Sequence, residues 1–270
     1  MYNNYYLTEN GIISTEKFSL WQDTWKKLAI CTVFTDKGYI EIDSIENVAC
    51  SCFVNVYTQC GHNIIVPDFY KFRIFYNTDY PFIDAKYLQE GDPIELIFGG
   101  NTSHKASYIT IMNSSIIIDS KFIKNLAYNY CVGQKDDLDF LLTKDLVQFL
   151  GFLPYEILFD FFNYLFELGN NSFKITDGLD AEFFMVLLAS LGYRVYLDKD
   201  VIYLIDNICN SGTNTVFDRV VKVKQIQKDE YIHIIKLKEQ VKWLAINGFT
   251  ISQDPPRIPK RKRNRTSTAF

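Results

Sequence analysis

The sequence predicts an α+β protein in which an all-β domain is interrupted by a smaller α/β block. Three observations predict this fold class. From about residue 28 to 118, short apolar stretches rich in Val, Ile, Tyr and Phe are separated by turn signals. Between residues 119 and 210 the apolar residues recur at helical spacing. From Arg219 the strand-like pattern returns, so we expect a helical insertion within one β-domain.

The chain begins with a polar and aromatic stretch, residues 1–27, that has no clear period. We interpret it as an N-terminal arm whose Trp21 and Trp25 dock onto the domain that follows. In residues 28–118, clusters of Gly, Asp and Asn separate the strands. These turn signals are Thr35-Asp36-Lys37-Gly38, Gly61-His62-Asn63, Asn77-Thr78-Asp79, Glu90-Gly91-Asp92 and Gly99-Gly100-Asn101.

Helices are predicted inside the block that spans residues 119–210. Asp180 is a suitable N-cap for one of them, because its carboxylate can accept a free backbone N–H. Gly192 is a suitable stop, because glycine adopts the left-handed conformation that ends many helices. The helical segments are Asp145 to Leu150, Tyr155 to Leu168 and Asp180 to Leu191.

Strands follow the last helix. Tyr193 to Leu197 and Val201 to Ile205 form a predicted hairpin through Asp198-Lys199-Asp200. Residues 211–254 complete the β-domain. Their strands are predicted at Val220 to Ile226, Tyr231 to Leu237 and Lys242 to Ile251.

A basic C-terminal tail, residues 255–270, closes the sequence. One interpretation of its cations is a solvated tail, and the other is a site for nucleic acid or an acidic partner. The net charge of −4 argues against an overall attraction to nucleic acid, so only a local patch is expected to bind it. The basic residues of the tail are Lys260, Arg261, Lys262, Arg263 and Arg265.

The cysteines and the apolar segments bear on cellular setting. Six cysteines occur without a CxxC pair, and the N-terminus lacks the apolar core of a signal peptide, so we expect a reducing, cytosolic setting. No apolar run approaches the roughly 20 residues that span a bilayer. Cys50, Cys52, Cys60 and His62 could ligate zinc, but Cys50 and Cys52 would share one strand face rather than a tight turn. We therefore expect no metal site.

Several ordered motifs resemble those of inteins, the protein-splicing domains with the Hint fold. The hairpin Thr35-Asp36-Lys37-Gly38-Tyr39-Ile40-Glu41-Ile42 is similar to the opening hairpin of a Hint domain, especially in inteins of ribonucleotide reductases. The stretch from Asp84 to Leu96 resembles the family's "a-x-x-L-x-x-G-D-x-I" segment, and Trp243 to Phe249 resembles its terminal "F-x-x-N-G-f" strand. The resemblance implies a horseshoe-shaped all-β domain. An unrelated β-domain is the alternative interpretation.

A second resemblance lies within the block. Phe162 to Ile175 looks like a LAGLIDADG motif running into its first strand, and Leu187 to Val195 is similar to the "LLxSLGI" segment that follows it in homing endonucleases. This resemblance implies a reduced endonuclease insert. An ordinary amphipathic helix followed by a hairpin is the alternative.

Splicing, as the resemblance implies it, requires groups that this sequence lacks. The first position needs a nucleophilic Cys or Ser, and the usual spacing before Thr35 reaches Lys26. Pro67 and Tyr70 stand where the family has the Thr and His of a "T-x-x-H" group. The terminal His-Asn pair is replaced by Ser252 and Gln253, and glutamine cyclises more slowly than asparagine.

The endonuclease position is substituted as well. A LAGLIDADG enzyme uses carboxylates at its motif helices to bind Mg²⁺ and activate water. Asn170 stands in place of the acidic residue, with Glu167 as the nearest carboxylate. An amide brings no charge and is not a base. Activity would require Glu167 with Asp136 or Asp137 to assemble a metal site.

Our leading hypothesis is a catalytically inactive intein and homing-endonuclease relic, of phage or mobile-element origin, kept as a binding or structural protein. It needs no cofactor, and its partner is another protein or DNA, not a membrane. We expect it in the cytoplasm, or in a virion if it is a phage protein. The alternatives are an active, Mg²⁺-dependent LAGLIDADG endonuclease and an unrelated α+β structural protein.

Overall fold

The computed structural model describes residues 4–9, 11–14, 32–75, 82–99, 108–111, 114–117, 119–132, 150, 153–175, 180–207 and 214–253. Strands dominate these residues, and the helices lie between the two halves of the strand-rich sequence. The strands are β1 (Tyr5–Thr8), β2 (Gly11–Ser14), β3 (Thr32–Thr35), β4 (Gly38–Thr58), β5 (Asn63–Pro67), β6 (Lys71–Arg73), β7 (Phe82–Asp84), β8 (Pro93–Phe98), β9 (Tyr108–Ile111), β10 (Ser114–Ile117), β11 (Ser172–Lys174), β12 (Tyr193–Asp198), β13 (Val201–Asn207), β14 (Asn214–Leu237), β15 (Leu244–Ile246) and β16 (Phe249–Ser252). The helices are α1 (Ser120–Val132), α2 (Tyr155–Leu168) and α3 (Ala181–Leu191), and a 3-10 turn spans Ala85–Tyr87.

One large sheet joins the two β-regions of the sequence. Its described strands run in the order β2-β1-β15-β3-β4-β14-β8-β16-β6-β7, and β5 pairs with β4. The chain leaves β8 at Phe98 and returns opposite it at Asn214, where the two residues are register partners. The α/β block is therefore inserted between neighbouring strands, which is the interrupted arrangement that the sequence predicts.

Two long strands, β4 and β14, form the spine of this sheet. They pair antiparallel from Val220 opposite Thr58 to Leu237 opposite Ile42. Residues 53–56 of β4 are all buried, which shows that both faces of the sheet are covered at this segment. Register shifts bend the ladder, as β-bulges do. They fall at Val220/Lys222, Gln227/Glu230 and Lys236/Leu237 of β14.

Strands β1 and β2 lie within residues 1–27, the segment that the sequence analysis set apart as an arm. They pair with each other from Tyr5 opposite Ser14 to Thr8 opposite Gly11. Strand β1 also pairs with β15 through Tyr6 and Ile246. All four residues of β1 are buried, so this part of the segment belongs to the large sheet. Trp21 and Trp25 lie outside the described residues.

The helical block has the elements that its sequence predicts between residues 153 and 207. Helix α2 has the predicted bounds. Helix α3 begins after Asp180, whose Oδ1 accepts the Glu182 N–H at 2.9 Å, and ends at Gly192 with φ of +89°. The β12–β13 hairpin pairs through the predicted Asp198–Asp200 turn, and β11 pairs on the other side of β13. Helix α1 was not predicted, and the segment Asp145 to Phe149 lies outside the described residues.

Aromatic side chains fill the core of the block. The ring of Phe162 lies 5.1 Å from that of Phe161, 6.0 Å from that of Phe173 and 6.3 Å from that of Phe184, measured between centroids. Such offset and edge-to-face pairs add stability beyond the area that they bury. The same core continues into the large sheet through Tyr5, Leu7, Ile12, Phe34, Ile97 and Ala245.

The block packs against the sheet at the β4–β5 turn and at β8. The Leu197 N–H donates to the Cys60 carbonyl at 3.0 Å, and the Gly99 N–H donates to the Ala189 carbonyl at 2.7 Å. Gly61 has φ of +91°, and a Cβ built on it would lie 2.7 Å from the Leu197 Cβ. Both its backbone conformation and its close contact with β12 therefore require glycine. No helix in the described residues is long and apolar enough to cross a membrane.

We expect Gly61→Ala to destabilise the fold by about 2–4 kcal/mol, because left-handed strain and the clash with Leu197 act together. Gly91 is a matched control, since it has φ of +94° but a Cβ added to it would meet nothing within 4 Å. Gly91→Ala should cost only the strain, about 1–2 kcal/mol. Urea unfolding of both variants measures the difference, and equal losses would show that β12 does not press on the turn.

Candidate functional site

Tyr70 and Gln253, two of the positions that the sequence analysis singled out, are in direct contact. Tyr70 lies in the bend between β5 and β6, where its N–H donates to the Pro67 carbonyl at 3.0 Å. Gln253 directly follows β16. Its Nε2 donates to the Tyr70 hydroxyl at 2.9 Å. The contact joins residues 183 positions apart in the chain.

The amide of Gln253 is held at both ends. Its Oε1 accepts the backbone N–H of Ile235 at 3.3 Å, while its Nε2 is bound to Tyr70. The side chain of Tyr6, on β1, also hydrogen-bonds to Gln253. Gln253 is buried, and an amide of this kind is stable in the interior only when its polar atoms are partnered.

The two phenols of this site are neutral at physiological pH. Burial raises the pKa of Tyr70 well above its usual value near 10, and the nearby Tyr6 and Cys50 raise it further, against the Gln253 hydrogen bond that lowers it. Burial likewise raises the pKa of Tyr6. A phenol that does not ionise near pH 7 cannot act as a general base there.

A narrow cleft lies beside Tyr70 and Tyr6. It is also lined by Asn4, Glu230 and His233 and holds about 30 Å³. That volume admits a few water molecules at most and is far below the roughly 300 Å³ of an ordinary small-molecule site. The cleft therefore has no room for a substrate. His233, which lines it, is bound to β4, since its Nδ1 lies 2.6 Å from the Asn47 Oδ1, and burial lowers the pKa of His233.

Asn247 ties the beginning of the described chain to this region. It lies in the β15–β16 turn with φ of +50°, followed by Gly248 with φ of +80°, the pattern of a tight Asn-Gly hairpin turn. Its Oδ1 accepts the Tyr5 N–H at 2.6 Å, and its Nδ2 donates to the Asn63 carbonyl at 3.2 Å. Residues 4–6 are thus fixed beside Tyr70 and Gln253.

The remaining predicted splicing positions lie nearby or outside the described residues. Pro67 ends β5 opposite Phe53, and Ser252 ends β16 opposite Lys71. Both are buried. Lys26 lies outside the described residues, as do the tail residues Lys260, Arg261, Lys262, Arg263 and Arg265. The structure brings Pro67, Tyr70, Ser252 and Gln253 to one end of the sheet.

Sequence reasoning missed Tyr6, Asn4 and His233. Counting back from the Thr35 hairpin led to Lys26, whereas the structure places Asn4 and Tyr6 at this site. The hairpin signal was present as Glu9-Asn10-Gly11 between two short apolar stretches. The approach of His233 carries no local signal, because it depends on the pairing of β14 with β4.

The predicted endonuclease positions occupy a turn. Helix α2 ends at Leu168, and Asn170 and Asn171 follow with φ of +54° and +64°. The Asn171 N–H donates to the Phe166 carbonyl at 2.7 Å. Asn170 and Glu167 are both exposed. The asparagines here reverse the chain from α2 into β11, a role for which their tolerance of positive φ suits them.

No group of three or more His, Cys, Asp or Glu side chains that could hold a metal ion occurs among the described residues. Glu167 therefore has no such cluster there, and Asp136 and Asp137 lie in a part of the chain that the structure does not describe. Of the cysteines near His62, Cys50 donates its thiol to the Cys52 carbonyl at 3.3 Å. The backbone N–H of Cys60 donates to the Asp218 carboxylate at 2.9 Å.

His62 is packed as a core residue. Its ring lies 6.4 Å from that of Phe98 and 6.1 Å from that of Phe249, both edge-on. Burial lowers its pKa from 6.5 to about 4, against the raising effect of Asp218. Nearby, the Asn63 Nδ2 donates to the Glu182 Oε1 at 2.5 Å. Burial, helped by Asp180, raises the pKa of Glu182 to about 7.

Comparisons with known proteins identify inteins as structural neighbours. No protein-family model matches the sequence, and no curated protein matches it. The chain is similar to the solved TvoVMA intein with 8% identity and a TM-score of 0.47, over 94% of this chain and 95% of that one. The PabCDC21-1 intein gives 9% identity and 0.42 over 93% and 95%. The transcription factor IIB Mja mini-intein gives 8% and 0.38 over 92% and 95%. Values this low do not establish the family.

We expect Tyr70→Phe to destabilise the protein by about 1–3 kcal/mol, because it leaves the buried Gln253 Nε2 without this acceptor. Gln253→Met should cost a similar amount. The double variant should cost less than the sum, because the Tyr70–Gln253 hydrogen bond is lost only once, while the loss of the Gln253 contacts with Ile235 and Tyr6 is the same in both Gln253→Met proteins. Urea unfolding of the four proteins completes the cycle. Strictly additive losses would mean that the two side chains do not interact.

His62 should make the fold less stable as the pH falls from about 6.5 to about 4, because the unfolded chain binds a proton there that folded His62 does not. The loss can reach about 3 kcal/mol. Glu182 acts in the opposite direction between pH 7 and 4.5, since its folded pKa is raised. The test is therefore the wild type against His62→Leu, in which the Glu182 contribution cancels. Parallel pH profiles for the two proteins would contradict the prediction.

Proposed function

We propose that this chain is an intein-like scaffold, derived from a mobile genetic element, that has lost protein splicing and serves as a binding or structural protein. The observation that carries the proposal is the amide of Gln253, which is hydrogen-bonded both to the Tyr70 hydroxyl and to the Ile235 N–H. By the motif resemblance, Gln253 stands in the position of the cyclising asparagine and Tyr70 in that of the acid-base histidine.

The arrangement of the chain supports the scaffold. A self-excising domain must hold both of its junctions against one set of catalytic groups, because proximity supplies much of the rate. Here Asn4 and Tyr6 from β1 and Gln253 after β16 converge on Tyr70. This convergence supports the proposal of an intein-like scaffold.

The side chains at this site support the loss of chemistry. Cyclisation needs a mobile amide, and that of Gln253 is bound at both ends. An acyl shift needs a Cys, Ser or Thr, and the residues of this segment that line the site, Asn4 and Tyr6, are none of these. Burial raises the pKa of Tyr70, so near pH 7 it is not a base and is a weaker proton donor than an imidazolium.

We extend the proposal to the inserted block, which we interpret as a LAGLIDADG-like remnant without nuclease activity. Asn170 and Asn171 serve as a left-handed turn, and Glu167 is an exposed residue of the helix surface. A divalent cation needs several oxygen ligands around one point, which the described residues do not provide.

The full chain placed between two reporter domains should yield only the unspliced precursor. Gln253→Asn offers a matched variant, since it restores the five-membered cyclisation while Tyr70 is unchanged, and it should also remain unspliced. Mass spectrometry of the purified fusion detects ligated or released reporters. Either product from the wild-type chain would refute the loss of splicing.

A binding role is proposed for the basic tail, and the partner tested is DNA. The full chain should be retained on duplex DNA with the salt dependence that five phosphate contacts give, a slope of about −4.5 in log K against log salt. Replacing Lys260, Arg261, Lys262, Arg263 and Arg265 by glutamine should abolish retention. Lys224→Gln on the exposed surface of β14 is the control and should have little effect. Retention that survives the tail change would assign DNA binding elsewhere.

A further inference from the structure

The open face of the three-stranded sheet β11-β13-β12 carries an apolar centre. Tyr196 is 41% exposed, Tyr203 is 43% exposed and Ile205 is 49% exposed. Tyr196 and Tyr203 are register partners, and their ring centroids lie 6.5 Å apart. The opposite face of these strands is buried against α2 and α3 through Val195 and Ile202. Three adjacent large apolar side chains on one exposed face indicate an interaction surface.

Charged residues surround this centre. Arg194 lies 3.9 Å from Asp206 at one end of the face, and Lys174 lies 3.0 Å from Asp200 at the other. An apolar centre with a polar rim is the usual anatomy of a protein–protein interface. The cations Lys174, Arg194 and Lys199 are matched by Asp198, Asp200 and Asp206, so the face has no net charge. Nucleic acid needs a surplus of cations, which this face lacks.

The charge pattern of strand β12 indicates which partner protein would match this face. Its outward residues are Arg194, Tyr196 and Asp198, so opposite charges lie at equal distances on either side of a tyrosine. Consider a two-fold axis that lies in the plane of the face, perpendicular to the strands, at Tyr196. It would place Arg194 of one copy opposite Asp198 of the other, and the reverse. A surface that complements itself under a two-fold rotation is the requirement for an isologous dimer.

We propose that this face, defined by Arg194, Tyr196, Asp198, Tyr203 and Ile205, binds a second copy of the chain. The tyrosines and Ile205 of the two copies form the buried centre of the interface. Arg194 and Asp198 pair across it at both ends. Within one copy Arg194 hydrogen-bonds to the Cys60 side chain and forms a long, exposed ion pair with Asp206. An exposed ion pair of this length contributes little, so it is a weak competitor for the contact with the other copy.

Sedimentation of the full chain from about 1 to about 100 µM should show a monomer–dimer equilibrium. Tyr203→Glu should raise the dimer dissociation constant at least about tenfold, because it places a charge in the apolar centre. Tyr231→Glu is the control, since Tyr231 is 65% exposed on β14, away from this face, and it should not change the constant. Circular dichroism and the melting temperature verify that each variant is folded.

A charge exchange gives the sharper test. Arg194→Asp and Asp198→Arg should each weaken the dimer, and the two changes together should restore most of the affinity, because the rotation pairs the two positions with each other. A chain that stays monomeric throughout would overturn the proposal. So would a dimer that Tyr203→Glu leaves intact, or retention on DNA that Tyr203→Glu weakens in a monomeric chain. Failure of the double exchange to recover affinity would overturn the two-fold geometry.

Discussion

The antiparallel pairing of β4 with β14 is the constraint on which the rest of the structure depends. It joins residues 42–58 to residues 220–237, on either side of the inserted block. Loop-closure entropy grows slowly with length, at about 0.6 kcal/mol for each doubling, so a long insertion between paired strands is tolerated. Strand β14 also pairs with β8, and β8 pairs in turn with β16. Tyr70 and Gln253 meet because β16 pairs with β6, with Ser252 opposite Lys71, and β16 is joined to the ladder through β8.

The contact at Tyr70 shows how a buried polar cluster contributes to stability. At Gln253 the amide oxygen accepts from the Ile235 backbone, and the amide nitrogen donates to the Tyr70 hydroxyl. The hydrogen bonds therefore fix the end of β16 in place. The same holds for Asn247, whose side-chain amide bridges β1 and β5. A glycine or alanine at this position would leave the Tyr5 N–H and the Asn63 carbonyl without that partner.

Local patterns predicted the helical block well and the long strands poorly. Asp180, Gly192 and the Asp198–Asp200 turn act within a few residues, so the sequence identifies them. The length of β4 was not predicted, since residues 43–52 mix polar and apolar side chains without regular alternation, are partly exposed, and are held mainly by pairing with β14. The site was half predictable. Motif order indicated Tyr70 and Gln253, whereas Tyr6 lies there through the pairing of β1 with β15, which no local pattern encodes.

The block and the large sheet stabilise each other, and this bears on what the insertion can be. Tyr5, Phe34 and Ile97 of the sheet belong to the core that Phe162 and Phe184 fill, and Ala189 of α3 packs into the core of the sheet. Polar groups also join the block to the sheet, because the Tyr5 hydroxyl donates to Asp180 and the Asn63 amide donates to Glu182. Removing the block would expose apolar side chains on the sheet to water, at about 25 cal/mol for each Å². An insertion bound in this way is an integral part of the fold, and its outer surfaces are free to vary while its inner face is not.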